Sequence, residues 1–323
     1  MLRVAGLCLC LACASGEERQ PEAAAQAPAE RAFAAASYGG DIPRDAWPES
    51  WFRPPRKASE IGLNDFRQSP LLAEQVAAGA LPPLAERLPD DPMVVEPIDG
   101  IGTHGGTARL FVAGEGLINV PEGVLRPGPQ MRLNLPNWAQ KVEYRNGGRT
   151  LYVALRPGHR WSDGYPLTAD DYQFWFEHVL MNKDLTPVVE PRFKGARFEK
   201  HDEHHFSYHF PQPVPLFVNH LAHNSSRLAM PAHFMQRYHP SFTPKEQLER
   251  EAAERGLQDW RTYFGAVNST TDLIYFARPV LTAFVVVNRT STRALLRRNP
   301  YYPKVDPAGN QLPYIDYLEV QRV

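Results

Sequence analysis

Three groups of side chains in this sequence are of a type that does chemistry. Carboxylates stand together at Asp170-Asp171, with Asp163 just before them and Glu115 further upstream. Histidines gather at His201, His204, His205 and His209, followed by His220, His223 and His233. The three cysteines, Cys8, Cys10 and Cys13, all lie at the extreme N-terminus. Facing carboxyls at a fixed separation would serve glycoside hydrolysis. Converging histidines would hold zinc, and a thiolate would serve as nucleophile or disulfide partner.

Position decides against most of this chemistry. Thr168-Ala169-Asp170-Asp171 has the pattern of a helix start, with Thr168 as N-cap and an acid at the third helical position. Acids in a first turn complement the positive end of the helix dipole, so structure explains both aspartates. A hydrolase pairing Glu115 with Asp163 or Asp170 would lack a recognisable nucleophile arrangement, and the chain has no P-loop, HExxH or GxSxG motif. With no cysteine beyond Cys13, zinc would need three or more histidines to converge. His205 and His209 share one face of a strand while His204 points to the other, which suits a solvated histidine-rich hairpin better. The expectation is therefore no catalysis, no metal and no cofactor.

The elements that position these residues are short. Of the 323 residues, 31 are proline and 22 glycine, which favours brief elements joined by loops. A helix is expected from Ser69 as N-cap through Pro70 to a stop at Gly79. Strands are expected at Gly105–Val112, entered through a glycine pair, at Phe284–Asn288 and at Tyr317–Val323. One hairpin is expected over Lys141–Leu155 around an Asn146-Gly147 type I′ turn, and a second at Ala196–Lys200 and His205–Phe210. The capped helix continues through Tyr172, Trp175, Phe176 and Val179 at amphipathic spacing. Another opens at Thr243-Pro244-Lys245-Glu246 and stops at Gly256. Ser162-Asp163-Gly164 reads as a turn, with Trp161 packing at the end of its strand. Mixed strands and helices indicate an α/β body. With 35 Lys+Arg against 36 Asp+Glu, there is no basic field for nucleic acid. An apolar fraction of 43% is enough for a core.

Three segments together resemble the extracellular solute-binding proteins of family 5, the oligopeptide, dipeptide and nickel-binding group. They are Leu81–Pro89 with Ile101–Thr107; Leu155-Arg156-Pro157-Gly158-His159-Arg160-Trp161-Ser162-Asp163-Gly164 running into Pro166–Asp171; and Arg298-Asn299-Pro300-Tyr301-Tyr302 with Asp306–Asp316. The resemblance covers roughly residues 70 to 323. It implies a type II periplasmic-binding-protein-like α/β fold, a mixed sheet with flanking helices and β-hairpins. Family chains are much longer, and this one stops on the strand that crosses between lobes, so the expectation is the first lobe only, with the second lobe missing. The implied function is the substrate-binding component of an ABC importer. It would capture oligopeptides, or on the same scaffold an oligosaccharide, and deliver them to permease and ATPase subunits on other chains.

In such receptors the loop after the first core strand contributes to the cleft. Here that loop is Val112–Asn119, and the expected ligand contacts are Glu115, Gly116 and Asn119. Glu115 would meet a peptide's amino terminus. Trp138 is the expected aromatic platform for a sugar ring. Trp161, Asp163, Gly164, Thr168 and Asp171 form the structural motif.

The N-terminus reads as an address. Cys10-Leu11-Ala12-Cys13 resembles the lipobox of bacterial lipoproteins, with Cys13 the lipidated residue. The expected organisation is a signal peptide over 1–13, a disordered Ala/Glu/Gln/Pro tether over 14–37, a Pro-rich extension over 38–97 laid as a clamp over a larger domain, and the first lobe over 98–323. The mature protein would sit outside the cytoplasmic membrane, attached only through its lipid.

Overall fold

The computed structural model describes residues 55–97, 99–112, 122–128, 134–224, 228–269 and 277–322. The expected signal peptide and tether lie outside them. The chain opens with strand β1 (Arg56–Lys57), helix α1 (Pro70–Ala77), the single turn α2 (Leu84–Arg87) and strand β2 (Met93–Val94). Ser69 caps α1 by accepting the Leu72 N–H through its side chain, with Pro70 in the first turn, and Gly79 at φ 71 ends the segment as expected.

Strands β3 (Thr107–Val112), β4 (Leu125–Pro127), β5 (Asn134–Pro136), β6 (Ala139–Arg145) and β7 (Thr150–Leu155) follow. The β6–β7 hairpin keeps left-handed backbone at Asn146 (φ 52) and Gly147 (φ 64). Its closing pair is Arg145 with Thr150, so the connection is longer than the two-residue turn expected. Helix α3 (Ala169–Phe174) continues as a π-helical segment over Trp175–Leu180. Phe174, Trp175 and Phe176 are consecutive and all buried. An α-helical stripe does not bury three successive large side chains; widening to an i→i−5 bond, Met181 N–H to Phe176 carbonyl at 3.0 Å, turns all three inward.

The remaining elements are β8 (Arg197–Lys200), β9 (His205–His209), α4 (Phe217–Asn224), α5 (Ala232–Met235), α6 (Lys245–Glu254), α7 (Trp260–Asn268), β10 (Phe284–Arg289), β11 (Arg293–Arg298), β12 (Lys304–Val305) and β13 (Tyr317–Arg322). Helix α6 lacks the Thr243 side-chain cap that its sequence suggested; Pro244 occupies the N-cap position instead. Among the described residues no helix is long and apolar enough to cross a membrane.

Two four-stranded sheets organise the body. The antiparallel sheet β6-β7-β9-β8 buries Val142, Leu151, Val153, Phe206 and Tyr208, and an aromatic layer of Tyr172, Phe176, Phe193 and Phe217 covers it. The mixed sheet β10-β11-β13-β3 holds a separate small core of Ala294, Leu296, Leu318 and Val320. In it β13 runs parallel to β3, pairing Tyr317 with Thr107 through to Arg322 with Val112.

The Pro-rich segment, over its described part, is woven into the body rather than laid on it. A three-stranded sheet β1-β2-β12 joins it to the C-terminal motif, with β2 parallel to β12. Gly309, at φ 84, comes so close to this segment that a Cβ there would lie 2.0 Å from the Asp65 carbonyl oxygen. The deepest link is Arg87, whose side chain is fully buried. Its Nε donates to the Pro82 carbonyl at 3.0 Å, and its terminal nitrogens donate to the Pro300 carbonyl and to Gln68. Among the described residues no carboxylate pairs with it. Burial pulls its pKa down to about 10, which leaves it charged at neutral pH. Gln311 seals the same space: its Nε2 donates to the carbonyls of Pro300 (2.9 Å) and Tyr302 (3.1 Å), while its own carbonyl accepts from Arg298 at 2.8 Å.

Removing a buried donor orphans its acceptors, each at roughly 1–3 kcal/mol. Arg87→Ala is therefore expected to destabilise the chain by about 3 kcal/mol. Arg67→Ala, which removes an exposed ion pair with Asp65, should stay within about 0.5 kcal/mol. Urea denaturation of both variants checks this; equal stabilities would contradict the assignment.

Candidate functional site

The expected ligand residues Glu115, Gly116 and Asn119 lie outside the described residues. What the structure places is the frame on either side of them. Upstream is Val112, the last residue of β3, held in register by Arg322 of β13. Downstream is Glu122, which the sequence reading passed over.

Glu122 is a part-buried acid with three partners drawn from distant parts of the chain. Lys304 and the Tyr302 hydroxyl donate to its carboxylate, and Asn137 Nδ2 donates at 3.1 Å. Burial opposes the charged form, but the Lys304 ammonium and these hydrogen bonds outweigh it, so the carboxyl sits below its ordinary range. Asn137 extends the network: its Nδ2 also donates to the Gly123 carbonyl at 2.9 Å, and its own carbonyl accepts from Arg156 Nε at 2.8 Å. The chain that emerges from segment 113–121 is thus pinned at once to β12 and to the start of the Arg156–Gly164 motif.

Trp138 requires a correction. It is 2% exposed, packed in the main core with Val142, Trp161 and Leu167 among its members, and has no free face for a sugar ring. It stands immediately before β6 and packs into the core of that strand's sheet.

The motif Trp161–Asp171 is a scaffold. Trp161, 2% exposed, donates its indole N–H to Asp171 Oδ2 at 3.0 Å. Thr168 and Asp171 form the complete capping box, and Asp171 Oδ1 accepts the Ala232 N–H at 2.9 Å, which joins α3 to α5. Burial pushes the Asp171 carboxyl up to about 6, with its hydrogen-bond donors pulling the other way. Asp170 instead faces solvent and pairs with Lys200 at 2.5 Å. The two neighbouring aspartates therefore do not face each other. Asp163 makes the turn by accepting the Tyr165 N–H at 3.2 Å and also bonds His233 Nε2 at 2.7 Å. Gly164, at φ 92, has the Tyr301 ring where a Cβ would stand.

The histidines divide among short-range partners: His201 bonds Ser207 (2.8 Å) and lies 3.6 Å from Glu199, His209 bonds that same Glu199 (2.6 Å), and His205 bonds Asp202 (2.7 Å). Among the described residues no three His, Cys, Asp or Glu side chains are arranged to hold a metal ion. Two other histidines are core residues. His239 accepts the Ser241 N–H at Nδ1 (3.1 Å) and lies 3.0 Å from the His178 carbonyl through Nε2. Those roles need the neutral ring, and burial pulls its pKa down to about 4. His159 is buried 3% exposed, and burial pulls it to about 3.

The family model described as bacterial extracellular solute-binding proteins, family 5 Middle, matches residues 135–323. The periplasmic alpha-galactoside-binding protein of Rhizobium meliloti (strain 1021) is 31% identical, over 79% of this chain and 39% of that protein. Among solved structures, the oligopeptide-binding protein OppA superposes with a TM-score of 0.75 at 32% identity, over 82% of this chain and 43% of that one. The periplasmic binding protein MelB of Agrobacterium fabrum C58, solved with stachyose, superposes at 0.65 and 26% identity, over 90% of this chain and 46% of that one. The chain spans less than half the length of each of these relatives.

The buried histidines set the acid stability. Their unfolded pKa is about 6.5 and their folded pKa lower, so their stabilisation is complete above pH ~6.5 and is lost as pH falls. Asp171, raised in the fold, works oppositely between its unfolded value near 4 and about 6. Burial also holds His104 and His178 below their ordinary range, so the histidines outweigh Asp171 and stability is expected to fall on acidification in that window. Urea midpoints between pH 7 and 4.5 should fall accordingly, and the double variant His159→Leu, His239→Gln should shrink the fall. A wild-type midpoint that rises on acidification would contradict the assignment.

Proposed function

The chain belongs to the bacterial extracellular solute-binding proteins of family 5, and we propose that it is the capturing lobe of an ABC importer's receptor for oligopeptides. It binds and delivers, and does no chemistry; permease and ATPase reside on other chains. The superposition on the oligopeptide-binding protein OppA carries this reading. An oligosaccharide ligand is the second reading, supported by the likeness to the alpha-galactoside-binding protein and to MelB with stachyose. The burial of Trp138 removes the stacking platform that would have favoured it from within this chain.

In this reading segment 113–121 contributes Glu115, Gly116 and Asn119 to the cleft, with the Glu122 network fixing its exit. A ligand held between two lobes loses roughly a tenfold in affinity for every 1.4 kcal/mol of contact removed. The 323-residue chain should therefore bind peptides at least tenfold more weakly than the whole oligopeptide-binding protein OppA, of which it covers 43%. Calorimetric titration of both with tri- to pentapeptides and with stachyose tests this. Saturable heat with peptides alone is expected. Saturation by stachyose alone would transfer the function to the second reading, and turnover of either would remove the protein from the binding class.

Cys13 is proposed to carry a lipid, with residues 14–37 as the tether to a folded body outside the cytoplasmic membrane. Cys13→Ala should move the mature protein from the membrane fraction to the soluble fraction or block its processing. Identical soluble fractionation of wild type and variant would end the lipid-anchor reading.

A further inference from the structure

Among the described residues the two four-stranded sheets have four edge strands, and three of these carry features that discourage further pairing. β6 is bulged between Ala139 and Lys141, and β10 between Val286 and Asn288. β8 is short and charged, with Arg197, Glu199 and Lys200 exposed. β3 has none of these features. Its six residues pair with β13 without interruption, and it contains no proline. Its one charged residue, Arg109, is held along the sheet by a 3.2 Å bond from Nε to Glu319. Among the described residues no strand or bridge takes up the outer edge of β3.

The two faces of β3 differ. Ala108, Leu110 and Val112 are half-buried and continue the small core of Ala294, Leu296, Leu318 and Val320. Thr107, Arg109 and Phe111 belong to the other face, and Phe111 is 68% exposed. A strand that adds to this edge must extend the apolar face on one side. On the other it must cover a phenyl ring without repelling a guanidinium.

β3 itself meets both conditions. Directly opposite residues of an antiparallel pair share a face, so a two-fold axis normal to the sheet must pass at the level of one residue. Centred on Leu110, it sets Leu110 against Leu110, Ala108 against Val112 and Arg109 against Phe111, the last two pairs occurring twice. The apolar face then runs on across the junction, and each guanidinium meets the phenyl ring of the other copy. Centred on Arg109, the same axis would oppose two arginines.

We propose that β3 is a docking edge for a second copy of this chain, the two strands pairing antiparallel in the Leu110-centred register into one sheet with four strands from each copy. The interface uses no residue of the proposed ligand cleft, so it stands or falls separately from the receptor reading.

Sedimentation velocity of the 323-residue chain tests this, with the exposed position 111 as the probe. A monomer–dimer equilibrium with a Kd of roughly 10–100 µM is expected of so small an interface. Phe111→Lys sets a lysine against Arg109 at both places and should weaken dimerisation at least tenfold. Phe111→Glu sets a carboxylate against the same arginine and should hold the Kd within about threefold of wild type. Both variants should melt at the wild-type temperature, because the side chain is exposed. Hydrogen exchange gives a second readout: the β3 amides that β13 does not take should slow with rising concentration in wild type and Phe111→Glu, and not in Phe111→Lys. A monomer at every concentration would overturn the proposal. So would equal loss of the dimer in both variants, which would mean an unspecific apolar contact through Phe111, and so would an unchanged dimer in both, which would place the association on another surface.

Discussion

The architecture depends on a guanidinium placed where water cannot reach it. Arg87 is fully buried, and among the described residues it is held by carbonyl and amide oxygens rather than by a carboxylate. A charge in that position is stable only if its hydrogen-bond acceptors converge in a fixed geometry. Two of those acceptors, the Pro82 carbonyl and Gln68, come from the Pro-rich segment, and the Pro300 carbonyl comes from the far end of the chain. Gln311 holds that far end in shape by bonding Pro300, Tyr302 and Arg298. The parallel pairing of β2 with β12 and the close approach of Gly309 to Asp65 then follow from the same docking.

The consequence for function is a frame with few soft joints. β12 is fixed on one side by the Pro-rich segment and on the other by the Lys304–Glu122 bond, so the exit of segment 113–121 inherits its position from the Arg87 junction. Asn137 passes the same constraint to Arg156, and Trp161 and Asp171 pass it to α3 and α5. A binding protein gains affinity when its groups are held in place before the ligand arrives, because less ordering is left to be done on binding.

Local rules made much of this legible in the sequence. The capping box at Thr168 and Asp171, the Ser69 cap, the two hairpins and the strands at β3, β10 and β13 all depend on neighbours within a few residues, and the structure has them. The misses are long-range. Glu122 and Lys304 are 182 residues apart, and Arg87 and Pro300 are 213 apart. Nothing in composition or periodicity connects such pairs. Trp138 failed because an aromatic side chain suits a stacking platform and a core equally well, and its burial beside Asn137 is set by tertiary packing. The π-helical widening after Phe174 was hidden because its aromatic spacing fits an ordinary helix equally well.

Native-state hydrogen exchange is the most direct measurement of whether the Pro-rich segment and the C-terminal motif form one cooperative unit. In the 323-residue chain at low denaturant, the amides of Val95 in the segment and of Leu312 and Asp316 in the motif are hydrogen-bonded to backbone carbonyls and report its two halves. One cooperative unit predicts the same opening free energy for both halves and an equal drop in both on Arg87→Ala. Exchange of Val95 at a clearly lower free energy, with Leu312 and Asp316 unaffected by the substitution, would mean that the segment is a detachable clamp and that the buried arginine does not hold the lobe together.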